Sequence, residues 1–116
     1  MFKRENLRKD QVIIKCIKLM DLLLKKEGTD MCIRTYSVVP VSPVEGFIEF
    51  VKGETLTRAT EKGQSISMWM YDHSKISDMN AIRQRFLTST AAWTVIVYLL
   101  GIGDRHTENL LVKVWA

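Results

Sequence analysis

The length, composition and charge of the sequence exclude several classes of protein. Its 116 residues suffice for one domain with a modest core, and 47% hydrophobic beside 26% charged residues argues against intrinsic disorder. A net charge of +4 is too small to indicate nucleic-acid binding, and no apolar run reaches the roughly 20 residues that span a bilayer. Cys16 and Cys32 lack metal-ligand spacing. We therefore expect a cytoplasmic protein that contacts membranes at most peripherally.

The first element that the pattern predicts is a helix over residues 7–27. Its apolar positions recur with the period of one helix face: Ile13, Ile17, Met20 and Leu24. Lys25 and Lys26 lie where they complement the dipole at the end of a helix, and Gly28 provides the stop.

A β-hairpin is the natural interpretation of the segment that follows. Residues 31–39 are rich in β-branched side chains, and residues 47–51 resume an apolar strand. Between them, Pro40, Pro43 and Gly46 predict a turn.

Residues 52–76 carry less information. A turn enters a short helix at residues 52–56, a loop is expected at 61–64, and residues 65–71 fit either a helical turn or a strand. Three large side chains here are expected in the core: Met68, Trp69 and Met70. His73 has no acidic or cysteine partner at metal-ligand spacing, so we predict that it lies on the surface.

A long helix is predicted from the capping pair Ser77 and Asp78 to Leu100, with Gly101 as its end. Near its C-terminus the helix is apolar almost all round, so we expect it at the centre of its part of the fold. The chain then becomes polar and returns as an apolar strand at residues 110–114.

The polar loop contains the side chains that a phosphoryl-transfer site requires. Asp104, His106 and Asn109 occupy positions i, i+2 and i+5. An imidazole can take the proton of an attacking hydroxyl, a carboxylate can orient it, and an amide oxygen can ligate a metal. The alternative for His106 is a residue that only stabilises the loop, and the alternative for Arg105 is a structural ion pair.

Residues 101–112, Gly-Ile-Gly-Asp-Arg-His-Thr-Glu-Asn-Leu-Leu-Val, resemble the catalytic loop of the phosphatidylinositol 3- and 4-kinase superfamily. That superfamily has Asp-Arg-His-x-x-Asn where ordinary protein kinases have His-Arg-Asp. Residues 2–11 resemble its Phe-Lys-x-Gly-Asp-Asp-Leu-Arg-Gln-Asp-Gln segment, one residue shorter and without the glycine. The resemblance covers residues 2–112 and is greatest to the class III phosphatidylinositol 3-kinases. Residues 34–40 instead resemble the large protein kinases related to this superfamily.

The resemblance implies a role for each matched position. Catalysis would fall to three residues of the loop: Asp104, Arg105 and His106. Asn109 would ligate the metal. Five residues would bind ATP, namely Lys3 at the phosphates, Asp10 facing the nucleotide pocket, Tyr36 deeper in that pocket, and the backbone of Glu49 and Val51 at the adenine.

The fold implied is α+β, a partial two-lobed kinase-like fold. Residues 1–52 would form the end of the small lobe, with a helix, a β-hairpin and the hinge, and residues 53–116 the start of the helical large lobe with the catalytic loop. The function implied is ATP-dependent phosphorylation of phosphatidylinositol at an inositol hydroxyl, with magnesium, or manganese as the alternative. Implied partners are ATP, phosphatidylinositol, the surface of endosomal or other internal membranes, and regulatory protein subunits, but no nucleic acid.

Two segments of a complete catalytic domain are missing from the sequence, an upstream phosphate-covering loop and an Asp-Phe-Gly segment after residue 112. We therefore expect the 116-residue chain to be a truncated piece that is inactive by itself. Two alternatives remain open. One is a fragment of a phosphatidylinositol-kinase-like serine/threonine protein kinase, and the other is a non-catalytic, degenerate remnant.

Overall fold

The computed structural model describes residues 1–113 and divides the chain into two compact units, which meet in sequence between Val51 and Lys52. Both units combine small antiparallel sheets with helices. The coarse prediction of a mixed α and β chain is therefore confirmed. The predicted strand 110–114 extends beyond the described residues at Val114.

The first unit is a three-stranded antiparallel sheet with one long helix. Its elements are β1 (Phe2–Lys3), α1 (Arg8–Lys26), β2 (Val38–Ser42) and β3 (Glu45–Ile48). The strand order is β1-β3-β2, so β3 is central and pairs Phe47 with Phe2 on one side and with Val39 on the other. The rings of Phe2 and Phe47 lie 5.5 Å apart, which adds an aromatic contact between the strands.

The predicted helix is confirmed by α1, whose inner face supplies much of the core of the first unit. Leu7 and Ile17 are each 1% exposed. The other buried apolar side chains are Ile14, Ile33 and Val38. In the last turn, the Lys25 ammonium donates a hydrogen bond to Asp21 at 2.9 Å, and this bond raises the pKa of Lys25.

The hairpin exists, but its strands and turn differ from the prediction. Residues 31–37 form no regular strand, and Pro40 and Gly46 lie opposite each other within the sheet rather than in a turn. The turn is at residues 43–44, and the returning strand ends at Ile48 rather than at residue 51. The physical reason is that β2 is an edge strand, where proline is tolerated because a missing N–H breaks no central ladder.

Gly46 offers a test of this packing, because a Cβ atom at that position would lie 2.6 Å from the carbonyl oxygen of Val39 and 2.9 Å from Cδ1 of Leu7. That carbonyl belongs to the paired strand β2, so it cannot move aside without disturbing the pairing of β2 with β3. We expect Gly46→Ala to lower the free energy of unfolding of the first unit by about 1–3 kcal/mol. Urea denaturation followed by amide signals of α1 would measure the change.

The control for that substitution is Gly103→Ala, because a Cβ atom there would meet no other atom within 4 Å. Gly103 lies in the second unit, so its effect is read from amide signals of the helix Met79–Leu100, and it should stay within about 0.5 kcal/mol, as for most surface substitutions. Equal stabilities of the Gly46→Ala variant and the unaltered chain would contradict the close approach of β2 to β3.

In its described residues, 52–113, the second unit contains three helices and a two-stranded sheet. Its elements are β4 (Glu54–Thr55), α2 (Leu56–Ala59), α3 (Ile66–His73), α4 (Met79–Leu100) and β5 (Leu111–Val112). Each helix begins at a polar side chain that accepts hydrogen bonds from backbone N–H groups, and these caps are Thr55, Ser65 and Asp78. Strands β4 and β5 are antiparallel and pair Glu54 with Val112.

The core of the second unit gathers side chains from its helices and from β5. The buried cluster consists of Ala59, Trp69, Met70, Ile82 and Val112. The ambiguous segment 65–71 is helical, with Ser65 as the cap of α3. The prediction of core positions holds for Trp69 and Met70 but is wrong for Met68, which is 47% exposed. Only one face of α3 meets the core, and Met68 points away from it. His73 is exposed, as predicted, with its ring stacked on that of Trp69.

Helix α4 has the predicted limits, but the described part of the second unit does not cover it on all sides. Four large apolar side chains of its second half and middle are more than half exposed: Leu87, Val95, Tyr98 and Leu99. Its buried positions are Ile82, Ala92 and Ile96. Among the described residues, no helix combines the length and the apolar character needed to cross a bilayer.

Candidate functional site

The polar loop begins where α4 is terminated by a left-handed residue. Gly101 has φ +63°, and the N–H groups of Gly101 and Ile102 bond back to the carbonyls of Tyr98 and Val97 at 3.3 and 3.0 Å. This pattern closes the helix and turns the chain away from its axis. The loop ends at β5, which is fixed by its pairing with β4. Both ends of the loop are thus attached to regular structure.

The three side chains singled out in this loop lie together. Oδ1 of Asp104 is 3.5 Å from Nε2 of His106, and Nδ2 of Asn109 is 3.1 Å from the same ring nitrogen. Nδ2 of Asn109 also donates a hydrogen bond to the backbone carbonyl of Asp104 at 2.9 Å. The structure therefore brings Asp104, His106 and Asn109 into one cluster, while their catalytic roles stay predictions.

The imidazole of His106 is approached by a donor at each nitrogen. The N–H of Glu108 donates to Nδ1 at 3.3 Å, and the Asn109 amide lies at Nε2. A neutral ring accepts at only one nitrogen, because the other carries the proton. The carboxylate of Asp104 favours the proton on Nε2, which leaves Nδ1 to accept from Glu108. In that tautomer the Asn109 amide, 3.1 Å from Nε2, makes no hydrogen bond to the ring. Protonation of both nitrogens would place a charged ring directly beside the carboxylate.

The cluster is accessible to solvent. The side chains of His106 and Asp104 are 52% and 79% exposed. Water and salt therefore screen their attraction strongly, and the pair contributes little to folding stability. An exposed imidazole with a carboxylate neighbour can still exchange a proton with a substrate that covers the loop.

Asp104 adopts a backbone conformation that few residues tolerate. Its φ is +57°, in the left-handed region, where aspartate and asparagine are among the few side chains found apart from glycine. The bond from Asn109 to its carbonyl helps to hold it there. Arg105 braces the same turn, since its Nε donates to the carbonyl of Gly103 at 3.0 Å. The observed contact of Arg105 is thus with the backbone of its own loop.

One contact of the loop could not be predicted from the sequence. The hydroxyls of Thr57 in α2 and Thr107 in the loop are 2.8 Å apart, although fifty positions separate the two residues. No local sequence pattern predicts a hydrogen bond between residues so far apart in the chain.

The predicted ATP-binding residues all belong to the first unit. They are Lys3 in β1, Asp10 in the first turn of α1, Tyr36 before β2, and Glu49 and Val51 after β3. Lys3, Tyr36 and Val51 are half-buried, whereas Asp10 and Glu49 are exposed. Within residues 1–113, no ion pair joins Lys3 to Asp10.

Glu49 forms two hydrogen bonds with Ser37, one through its backbone N–H and one through its side chain. Its N–H donates to the carbonyl of Ser37 at 2.9 Å, and its carboxylate accepts from the N–H of Ser37 at 2.8 Å. The backbone N–H at this position is therefore used inside the unit. Any backbone contact of Glu49 with an adenine ring must use its carbonyl oxygen.

A metal would find few protein ligands here. Residues 1–113 include no group of three or more histidine, cysteine or acidic side chains placed to hold an ion. Magnesium at phosphoryl-transfer sites takes few protein oxygens and completes its shell with phosphate oxygens and water. Because Nδ2 of Asn109 donates to the backbone carbonyl of Asp104, the amide oxygen is the atom left for a cation. The donor set thus fits a magnesium ion that arrives with a nucleotide.

Comparison with known proteins identifies relatives over almost the whole chain. The sequence model of a family described as Phosphatidylinositol 3- and 4-kinase matches residues 1–65 and 54–115. The protein named Phosphatidylinositol 3-kinase VPS34 from Saccharomyces cerevisiae is 38% identical over 120 residues, which cover 97% of this chain and 14% of the relative. The protein of the same name from Arabidopsis thaliana is 35% identical over 115 residues, which cover 95% of this chain and 14% of the relative.

A Glycine max protein named Phosphatidylinositol 3-kinase, root isoform, is 34% identical over 116 residues, which cover 96% of this chain and, as for the other two, 14% of the relative. The chain therefore spans about one-seventh of the length of these relatives. The matches confirm the resemblance that rested on the loop and on residues 2–11. The chain belongs to the phosphatidylinositol 3- and 4-kinase family.

Proposed function

We propose that this chain is part of a lipid kinase that transfers the γ-phosphoryl group of ATP to a hydroxyl of the inositol ring of phosphatidylinositol. The observation that carries the proposal is the cluster of Asp104, His106 and Asn109, held on one loop of a chain whose relatives are named phosphatidylinositol 3-kinases. These are the groups needed for proton removal, ring orientation and metal ligation.

In this proposal Nδ1 of His106, the nitrogen without a proton, releases the N–H of Glu108 and accepts the proton that the inositol hydroxyl loses. The hydroxyl oxygen bonds to phosphorus as the bond from phosphorus to ADP breaks. Asp104 orients the ring and lies beside the imidazolium that forms. Arg105 keeps the turn in place through the carbonyl of Gly103. When a magnesium or manganese ion is bound, it offsets charge on the phosphates, and Asn109 supplies one oxygen to it.

The nucleotide would be bound by the first unit. Lys3 supplies a flexible positive charge for the phosphates, and Asp10 faces the same pocket. Tyr36 and the apolar surroundings of Val51 provide a flat site for the adenine, and the carbonyl of Glu49 accepts from its amino group. These assignments follow the position of each residue in the family pattern.

We also propose that the protein acts in the cytoplasm at the surface of endosomal or other internal membranes, together with regulatory protein subunits. A net charge of +4 and a calculated pI near 9.2 suit contact with an anionic lipid surface. The family to which the chain belongs supports a lipid-embedded substrate.

A chimaera tests the proposal directly. Residues 1–116 would replace the matched segment of the Saccharomyces cerevisiae relative, which supplies the remainder of a kinase. Transfer of labelled phosphate from ATP to phosphatidylinositol vesicles is expected. A folded chimaera that melts like the parent and yields no lipid product would refute the proposal. Label incorporated only into an added protein substrate would favour the protein-kinase alternative.

A further inference from the structure

We propose that Thr57 is a positioning residue, which holds the loop through Thr107 so that His106 and Asn109 keep the geometry of the cluster. The inference rests on the proposed function of this loop. Neither threonine belongs to the group of residues expected to touch substrate or nucleotide.

Two hydrogen bonds join Thr57 to Thr107. The hydroxyl of Thr57 donates to the hydroxyl of Thr107 at 2.8 Å, and the N–H of Thr57 donates to the carbonyl of Thr107 at 3.3 Å. One residue earlier, the N–H of Leu56 donates to the carbonyl of Leu110 at 3.0 Å. The start of α2 therefore runs along the loop and bonds to it at successive positions.

The loop depends on such bonds because it has little apolar anchorage of its own. Every residue from Gly103 to Leu111 is exposed. In contrast, α2 is well fixed: Ala59 is 2% exposed in the core of the second unit, and Thr55 caps the helix by accepting from the N–H of Arg58. Thr57 thus links a rigid element to an exposed loop, which is how a site is held in one arrangement.

Thr107 is the residue through which this constraint reaches the imidazole. It lies between His106 and Glu108, and the N–H of Glu108 donates to Nδ1 of the ring. The carbonyl of His106 accepts from the N–H of Asn109 at 2.9 Å. Fixing both the hydroxyl and the carbonyl of Thr107 therefore fixes the peptide groups on either side. Loss of the hydroxyl bond should loosen the bond from Glu108 to the ring.

Three variants of the 116-residue chain test the inference. Thr57→Val removes the hydroxyl at nearly constant shape, and Thr57→Ser retains it. Thr60→Val is the matched control, because the Thr60 hydroxyl bonds only to carbonyls of its own helix, those of Leu56 and Thr57. A melting curve for each variant shows whether the second unit stays folded.

The first measurement is the tautomer of His106, read from long-range ¹H–¹⁵N correlations of the imidazole without any ligand. The unaltered chain and the Thr57→Ser and Thr60→Val variants should show the proton on Nε2. Thr57→Val should shift the balance of tautomers by about fivefold, the population change that one neutral hydrogen bond typically supplies. A merely structural role of Thr57 would change the melting curve and leave the tautomer in place.

The second measurement uses manganese with ATP as a paramagnetic probe. In the unaltered chain, signals of His106 and Asn109 should broaden, and Thr57→Val should need about fivefold more probe for the same broadening. Absence of broadening in the unaltered chain counts against the proposed function. The tautomer measurement still tests the positioning role of Thr57 in that case. An unchanged tautomer in Thr57→Val, at an unchanged melting temperature, would overturn the inference.

Discussion

Replacing His106 by alanine in the chimaeric kinase is expected to lower the rate of lipid phosphorylation by about two to four orders of magnitude, the usual contribution of a general base. In the proposed function the imidazole takes the proton of the inositol hydroxyl, and the described cluster offers no second imidazole. The loss should appear in kcat, with the KM for ATP nearly unchanged, because the nucleotide is assigned to residues of the first unit. Initial rates at varied ATP concentration would separate the two constants.

The chain contains a matched control for this substitution, since it has two histidines. His73 lies on α3, with its Nδ1 2.8 Å from the carbonyl of Trp69, and belongs to no predicted site. His73→Ala should leave kcat within about threefold of the unaltered chimaera, because its expected effect is on stability. Equal rates for the His106→Ala and His73→Ala chimaeras would mean that the cluster does not perform the proton transfer.

Trp69→Ala is expected to have the largest effect on stability, lowering the free energy of unfolding of the second unit by about 3–5 kcal/mol. The indole is 9% exposed and packs in the buried cluster with Ala59, Met70, Ile82 and Val112. Its removal leaves a cavity that the surrounding side chains fill only in part. Total stabilities of small domains are about 5–15 kcal/mol, so the change is a large part of the whole.

Tyr71→Ala provides the comparison, because it removes an aromatic ring from the same helix at a position that is 39% exposed. We expect it to cost less than about 1 kcal/mol. Urea denaturation monitored by amide signals of α4 would measure both variants. Similar costs for Trp69→Ala and Tyr71→Ala would contradict the location of the core described for this unit.

The parts of the fold that the sequence predicted well are those encoded locally. Helices α1 and α4 follow from apolar periodicity, from the cap at Asp78 and from the stops at Gly28 and Gly101. The hairpin was placed incorrectly because Pro40 and Gly46 are turn residues by composition. Their position inside the sheet depends on which strand is at the edge, and that is decided by the third strand, β1, far away in sequence.

The same distinction applies to the candidate site. The proximity of Asp104, His106 and Asn109 could be expected because all three belong to one short loop. The bond between Thr57 and Thr107 could not, since it joins residues brought together by the pairing of β4 with β5. Likewise, the polarity of residues 103–109 did not reveal that Asn109 would bond to the backbone of Asp104 and so hold its unusual conformation.

The left-handed backbone at Asp104 limits which variants of that position can be interpreted. Alanine would remove the carboxylate and distort the turn together, so its effect would confound charge with conformation. Asparagine retains the conformation and removes only the charge, which makes Asp104→Asn the informative exchange. The left-handed backbone also limits which residues natural variants can have at this position. Among the residues that this backbone readily accepts, aspartate alone is acidic, so an asparagine or glycine there would mark a loop that kept its shape and gave up its carboxylate.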